Sequence, residues 1–358
     1  ADSTHTVARS PFRLGKGDVL KMLAESCRKN GLKFGVYLSP WDRNHPSYGT
    51  PEYNDVFKRM LRDVLTNYGK VFEVWFDGAN GEGPNGKKQV YDWPGFIQVV
   101  RECQPNAVIF SDAGPDIRWV GNEAGHSAPT CWATIDRDRY VPGTPHYKEL
   151  TEGKAGGTHW VPAECDVSIR PGWFYRDTED SKVKTPDQLF DLYLRSVGQN
   201  GSFLLNVPPD RRGLIHENDQ KALFEFRKIR DAHFAKDLAP AASWSFSSGS
   251  AQPGLRSPWQ PAESDGQPSA TLTWATPQDL KLIEFGEPVA LGQRVSGFRV
   301  EIKTDGIWRT VHRGTTIGRR RILSLPTEGV TGLRLTLDSS LAPPLLSHIR
   351  AYQMPKKL

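Results

Sequence analysis

From residue 17 to about residue 230 the chain alternates stretches of helical apolar spacing with short apolar runs, which restricts it to folds whose helices cross between parallel strands. Residues 18–30 space Val19, Leu20, Leu23 and Ala24 along one helical face, with Gly31 as a C-cap. A strand over 33–38 and a helix over 51–68 carrying Phe57, Met60, Leu61, Val64 and Leu65 follow. The unit then recurs as strand 72–76, helix 93–103 and strand 107–110. After a long loop come strand 160–163, helix 186–199, strand 203–207 and helix 217–233. A closed barrel and an open doubly wound sheet both fit this order, and both gather their sites beyond the strand C-terminal ends.

Composition changes near Leu238. Residues 239–269 are rich in Pro, Ser, Gly and Ala, and short β-rich runs then recur at 270–274, 280–285, 294–303, 308–314, 321–325, 332–337 and 346–352. That pattern predicts an antiparallel β-sandwich of about a hundred residues, with a hairpin at Thr304-Asp305-Gly306. The expected division is 1–237 as the α/β part, 238–269 as linker or sandwich start and 270–358 as sandwich. Two domains are natural for 358 residues.

The net charge of +5 is diffuse apart from Arg319, Arg320 and Arg321, which read as a solvated turn, with an anion site as the alternative, so nucleic acid is a poor partner. Cys27, Cys103, Cys131 and Cys165 are too dispersed for a disulfide framework or a zinc pattern and read as free thiols. No apolar run reaches the ~20 residues that span a bilayer, which speaks against a membrane partner. The first residues lack signal-peptide character, and the address is unreadable.

Chemistry concentrates at three places. The run Val71-Phe72-Glu73-Val74-Trp75-Phe76-Asp77-Gly78 delivers a carboxylate at a strand's C-terminal rim, read either as a functional acid or as a helix-cap or turn Asp. Glu123 follows the next strand, and two carboxylates at such ends can flank one glycosidic bond. His159-Trp160-Val161-Pro162-Ala163-Glu164-Cys165-Asp166, with Arg170 and Trp173, adds acids and aromatic surface, and by residue type Glu164 competes with Glu123 as the acid.

Val74-Trp75-Phe76-Asp77-Gly78, Asp116-Ile117-Arg118-Trp119-Val120-Gly121-Asn122-Glu123, Trp160-Val161-Pro162-Ala163-Glu164-Cys165-Asp166 and Gly201-Ser202-Phe203-Leu204-Leu205-Asn206-Val207, in this order, closely resemble α-L-fucosidases of glycoside hydrolase family 29. The resemblance covers about residues 2–233. It looks nearest the branch acting on α-1,3/1,4-linked fucose in branched, Lewis-type glycans. It implies a (β/α)8-like, TIM-type barrel and a retaining double displacement, with Asp77 as nucleophile, Glu123 as acid/base and a fucosylated oligosaccharide as partner. No metal or organic cofactor is implied, and a periplasmic or secreted location is. Asp77 would stay ionised beside Arg118 or backbone donors, while Glu123 keeps its proton until the leaving group needs it. Trp75 and Tyr37 either wall the fucose pocket or pack the core. Glu164, Asp166, Arg170 and Trp173 either touch a neighbouring galactose or N-acetylglucosamine or form structural ion pairs.

The family's early strands carry a His-Trp and a Lys-His-His-Asp-Gly-Phe motif whose histidines hold fucose hydroxyls, and neither has a counterpart here. His5 reads as an exposed loop residue. Two barrel strands are therefore expected to be missing from an N-terminally truncated chain, leaving a sheet edge unpaired and the polypeptide alone weakly active or inactive. Residues 270–352 resemble a discoidin or galactose-binding-like sandwich, for which bracing is favoured over sugar binding and Trp308 reads as core. Two readings compete with the fucosidase: a non-catalytic carbohydrate-binding remnant, and a retaining hydrolase for another sugar such as galactose, which Asp77 and Glu123 alone equally permit.

Overall fold

The computed structural model describes residues 5–143, 146–249, 252–254 and 257–355. The first four residues and residues 144–145 of the expected α/β part, four positions of the expected linker and the last three residues lie outside the described residues. The chain divides into two compact units, Ala1–Arg118 with Arg137–Pro145, and Trp119–Asp136 with His146–Leu358.

The first unit runs α1 (Val19–Lys29), β1 (Gly35–Tyr37), α2 (Glu52–Asn67), β2 (Glu73–Trp75), α3 (Trp93–Cys103), β3 (Val108–Ser111) and into β4 (Ile117–Trp119). Its strands pair in parallel, with Val36 opposite Val74, Val74 opposite Ile109 and Ser111 opposite Arg118. Asp18 and Asp92 cap α1 and α3 by accepting from the Lys21 and Gly95 amides. The predicted stripe of α2 is realised in Phe57, Leu61 and Leu65, all fully buried, and Phe57 meets Phe96 of α3 at 4.6 Å between ring centroids. On α1 the expected apolar face is only partly used: Ala24 is buried, but Val19 and Leu23 stay exposed. Among the described residues β1 pairs with β2 alone, and Tyr37 on that flank is 53% exposed.

The second unit contains β5 (Thr134–Ile135), α4 (Tyr147–Glu152), β6 (His159–Trp160), β7 (Ala163–Ser168), α5 (Pro186–Ser196), β8 (Ser202–Asn206) and α6 (Glu217–His233). β7 and β8 pair in parallel from Glu164 opposite Ser202 to Ser168 opposite Asn206. α5, which returns the chain between them, opens on a Thr185/Gln188 capping box with Pro186 in its first turn. The strand expected at 160–163 is split. His159–Trp160 pairs with β5, while Ala163–Ser168 joins β8.

The same unit continues with β9 (Ser243–Phe246), β10 (Ser269–Gly286), β11 (Val295–Thr304), β12 (Ile307–Gly314), β13 (Arg321–Ser340) and β14 (His348–Gln353). They form an antiparallel sheet in the order β12-β11-β13-β10-β14, with β9 on β10. Runs expected as four strands are two long ones: 270–274 with 280–285 make β10, and 321–325 with 332–337 make β13. Register shifts between Thr273 and Leu282 replace the expected turns, so one end of β10 pairs β9 and the other pairs β14. The Asp305-Gly306 turn closes β11 onto β12 with both residues at positive φ. Trp259, Leu272, Phe285, Phe298 and Leu335 form the core.

One expectation is corrected here. Arg320 and Arg321 are not a solvated turn. Arg321 is buried and donates to the Thr316 and Pro129 carbonyls, while Arg320 pairs with buried Glu284. Arg170, a sugar-contact candidate, adopts its structural alternative. Its Nε and Nη2 donate to Asp219 and its Nη1 to Asp180, and the Arg170 and Asp219 side chains have no exposed surface. Removing one partner strands a buried charge. Asp219→Ala is therefore expected to destabilise the protein by about 3–5 kcal/mol, read as a lowered urea midpoint. Asp231→Ala, at an exposed position of the same helix, should leave the midpoint nearly unchanged.

Candidate active site

Asp77 leaves β2 just beyond Phe76, whose amide donates to the Phe110 carbonyl at 3.0 Å and extends the sheet to the edge of the loop. Its carboxylate has two donors on different oxygens. The Tyr37 hydroxyl reaches Oδ2 at 2.6 Å, and the Ala79 amide reaches Oδ1 at 2.7 Å. One of these donors is a backbone amide. Arg118, the alternative, is fully buried on β4. Tyr37 is about half exposed, and the burial of the rest together with Asp77 raises the phenol above its ordinary value. It remains a proton donor at neutral pH. The Tyr37 and Trp75 rings lie 5.4 Å apart, and Trp75 stacks on Phe110 at 3.9 Å, so the two aromatics form a fixed wall beside Asp77.

In the second unit the loop after β4 turns at Gly121, which has φ +83 and whose Cβ would come 2.6 Å from the Tyr147 carbonyl. Asn122 then accepts from the Ala124 amide and donates to the His126 carbonyl, leaving Glu123 exposed between them. The Trp173 indole donates to Glu123 at 3.3 Å. Glu164 and Asp166 alternate on one face of β7. Glu164 accepts from the Ser202 hydroxyl at 3.3 Å, and Asp166 from the Trp119 indole at 2.9 Å. Both carboxyls are buried. Burial pushes Asp166 up to about 7, the charges of Glu123 and Glu164 add to the rise, and the Trp119 donor opposes it.

Sequence reasoning passed over Asp112 and Trp119. Asp112 follows its apolar run as Asp77 follows β2, and that parallel was a usable signal. A cleft of about 310 Å³ between the loops after β7 and β8 holds none of the singled-out residues, and its Arg212 is occupied by Asp210 and Glu217. Among the described residues no group of three or more His, Cys, Asp or Glu side chains could hold a metal ion, and no helix is long and apolar enough to cross a membrane.

An α/β fold that sets carboxylates beside aromatic rings at its strand ends has the make-up of a glycosidase. The family model for alpha-L-fucosidase matches residues 3–228. Alpha-L-fucosidase 1 of Arabidopsis thaliana is 39% identical over 97% of this chain and 71% of its own length. The crystal structure of a glycoside hydrolase 29 family member from an unknown rumen bacterium is 38% identical, with a TM-score of 0.88 over 100% of this chain and 64% of that one. A Ruminococcus gnavus GH29 fucosidase in complex with fucose is 26% identical, with a TM-score of 0.87 over 99% of this chain and 80% of that one. The chain belongs to the alpha-L-fucosidase family, glycoside hydrolase family 29, a family of glycosidases.

The raised Asp166 carboxyl gives a pH prediction. Below the ordinary value of 3.8 it is protonated folded or unfolded. Between that value and about 7 the folded state keeps a proton the unfolded chain has released, so stability falls as pH rises through the window. Asp166→Asn removes this slope. Wild-type stability is expected to fall relative to the variant by up to about 1.4 kcal/mol per pH unit, measured by denaturant titrations from pH 4 to pH 8.

Proposed function

We propose that this protein is a retaining α-L-fucosidase that releases α-1,3/1,4-linked fucose from branched, Lewis-type glycans by double displacement. The observation that carries the reading is the Asp77 carboxylate, oriented at the β2 end by Tyr37 and the Ala79 amide beside the Trp75 wall. Family membership and a fucose-bound relative support the sugar. In the first step Asp77 attacks the anomeric carbon while Glu123 gives its proton to the leaving glycosidic oxygen, forming a fucosyl ester. In the second, Glu123 as carboxylate takes a proton from water, which displaces Asp77 and preserves the anomeric configuration. Retention by this route needs the two carboxyls about 5–5.5 Å apart. Trp173, donating to Glu123, orients it and offers an aromatic face to the sugar beyond fucose, with Glu164 and Asp166 as further polar candidates. Arg118 supports the nucleophile region from β4.

Residues 1–237 are read as the catalytic part on a TIM-type barrel plan, 238–269 as linker or sandwich start, the latter favoured by the strand Ser243–Phe246 and buried Trp259, and 270–358 as a discoidin-like sandwich. Bracing is the favoured role of the sandwich. The Cys131 and Ala133 amides donate to Thr316 and Gln293, tying the sheet's loops to the segment that follows Glu123.

A mechanism-based 2-fluoro-fucosyl reagent is expected to leave a fucosyl adduct on the peptide containing Asp77, seen by mass spectrometry, and Asp77→Ala to abolish labelling. Glu123→Ala should cost about 10²–10⁴-fold in kcat/KM on a Lewis-type trisaccharide, and much less on an aryl fucoside whose leaving group needs no proton. Label on another residue, or equal losses on both substrates, would refute these assignments.

A further inference from the structure

Asp112 stands at the end of β3, one strand over from Asp77, and the mechanism above does not use it. Its Oδ2 accepts from the Gly143 amide at 2.6 Å. Gly143 has φ +86, and a Cβ built there would lie 2.3 Å from the Gly78 carbonyl oxygen. A Cβ on Gly78 would lie 2.2 Å from the Gly143 nitrogen and 2.8 Å from Asp112 Oδ2. Two glycine backbones are therefore in direct contact, with the Asp112 oxygen at the point where they meet. Gly78 is the residue after Asp77, and the next amide, Ala79, is a donor to the Asp77 carboxylate. Whatever sets the height of Gly78 also sets that donor.

We propose that Asp112 is a positioning residue whose carboxylate clamps the turn at Pro142-Gly143 onto Gly78 and so fixes the loop that aims Asp77. The idea rests on the reading of Asp77 as nucleophile. Burial and the charge of Asp77 raise the Asp112 carboxyl, and the Gly143 amide and Asp112's own backbone oppose the rise.

The test compares wild type, Asp112→Asn and Asp112→Ala in the full chain. Asparagine keeps an oxygen for the Gly143 amide, whereas alanine keeps none. Hydrogen exchange at that amide reads the clamp, and calorimetry with a fucose-configured iminosugar reads its effect on the site. The asparagine protein should bind within about threefold of wild type, and the alanine protein about tenfold more weakly with its Gly143 protection lost, the scale of one hydrogen bond to a charged group. Gly143→Ala, with Asp112 intact, should reproduce the alanine loss. Unchanged binding in Asp112→Ala, or equal losses in the asparagine and alanine proteins, overturns the clamp. A wild type that binds no iminosugar sinks the fucosidase reading instead, and the exchange rates then decide the clamp: equal rates in wild type and Asp112→Ala overturn it.

Discussion

A parallel strand can be entered only from its own starting edge, so the chain must run back along the sheet before each new strand. In the first unit α2 and α3 make that return, and in the second α5 makes it between β7 and β8. Within each unit the loops leaving the strands consequently open on one edge, and the short paired strands hold the first residues of those loops in place. Asp77 and Asp112 occupy such positions after β2 and β3, and Trp173 lies in the loop after β7. One connection is unusual. β3 reaches β4 through residues 112–116 without a helix, and the loop can double back because the Asp116 amide and carboxylate bond the Ile109 carbonyl and amide. Arg101 then pairs with Asp116.

Chemistry depends on giving acids of similar type different surroundings. Asp77 receives a hydroxyl and an amide, one on each oxygen. Glu123 is exposed with one indole donor. Asp166 is buried near other acids, and its proton affinity rises despite the Trp119 indole on one oxygen. Asp219 is equally buried yet pairs with Arg170, which makes that pair a structural element rather than a sugar contact.

The antiparallel sheet of the second unit meets another need of the same chain. Backbone groups at Cys131 and Ala133 are buried, and buried amides and carbonyls need partners. They find them in Thr316 and in Gln293, whose amide also donates to the Cys131 carbonyl. Arg321 adds the Pro129 carbonyl. These contacts begin only a few residues after Glu123, which is the physical argument for a bracing sheet.

Long periodic segments were legible. The helices over 93–103 and 217–233 have the boundaries that spacing predicts, because helical periodicity repeats within a few residues of itself. β4 and β5, of three and two residues, are too short to carry a period, and the breaks inside β10 and β13 looked like turns because bulges and turns use the same residue types. The alternation of the longer helices and strands over 17–230, the motifs that carry Asp77 and Glu123 and the family were contained in the linear chain. Which acid is buried, which arginine is consumed in pairing and which amide clamps Asp112 were decided only by tertiary structure. Desolvation and pairing depend on partners such as Arg170 and Asp219, 49 positions apart, and no local pattern encodes that distance.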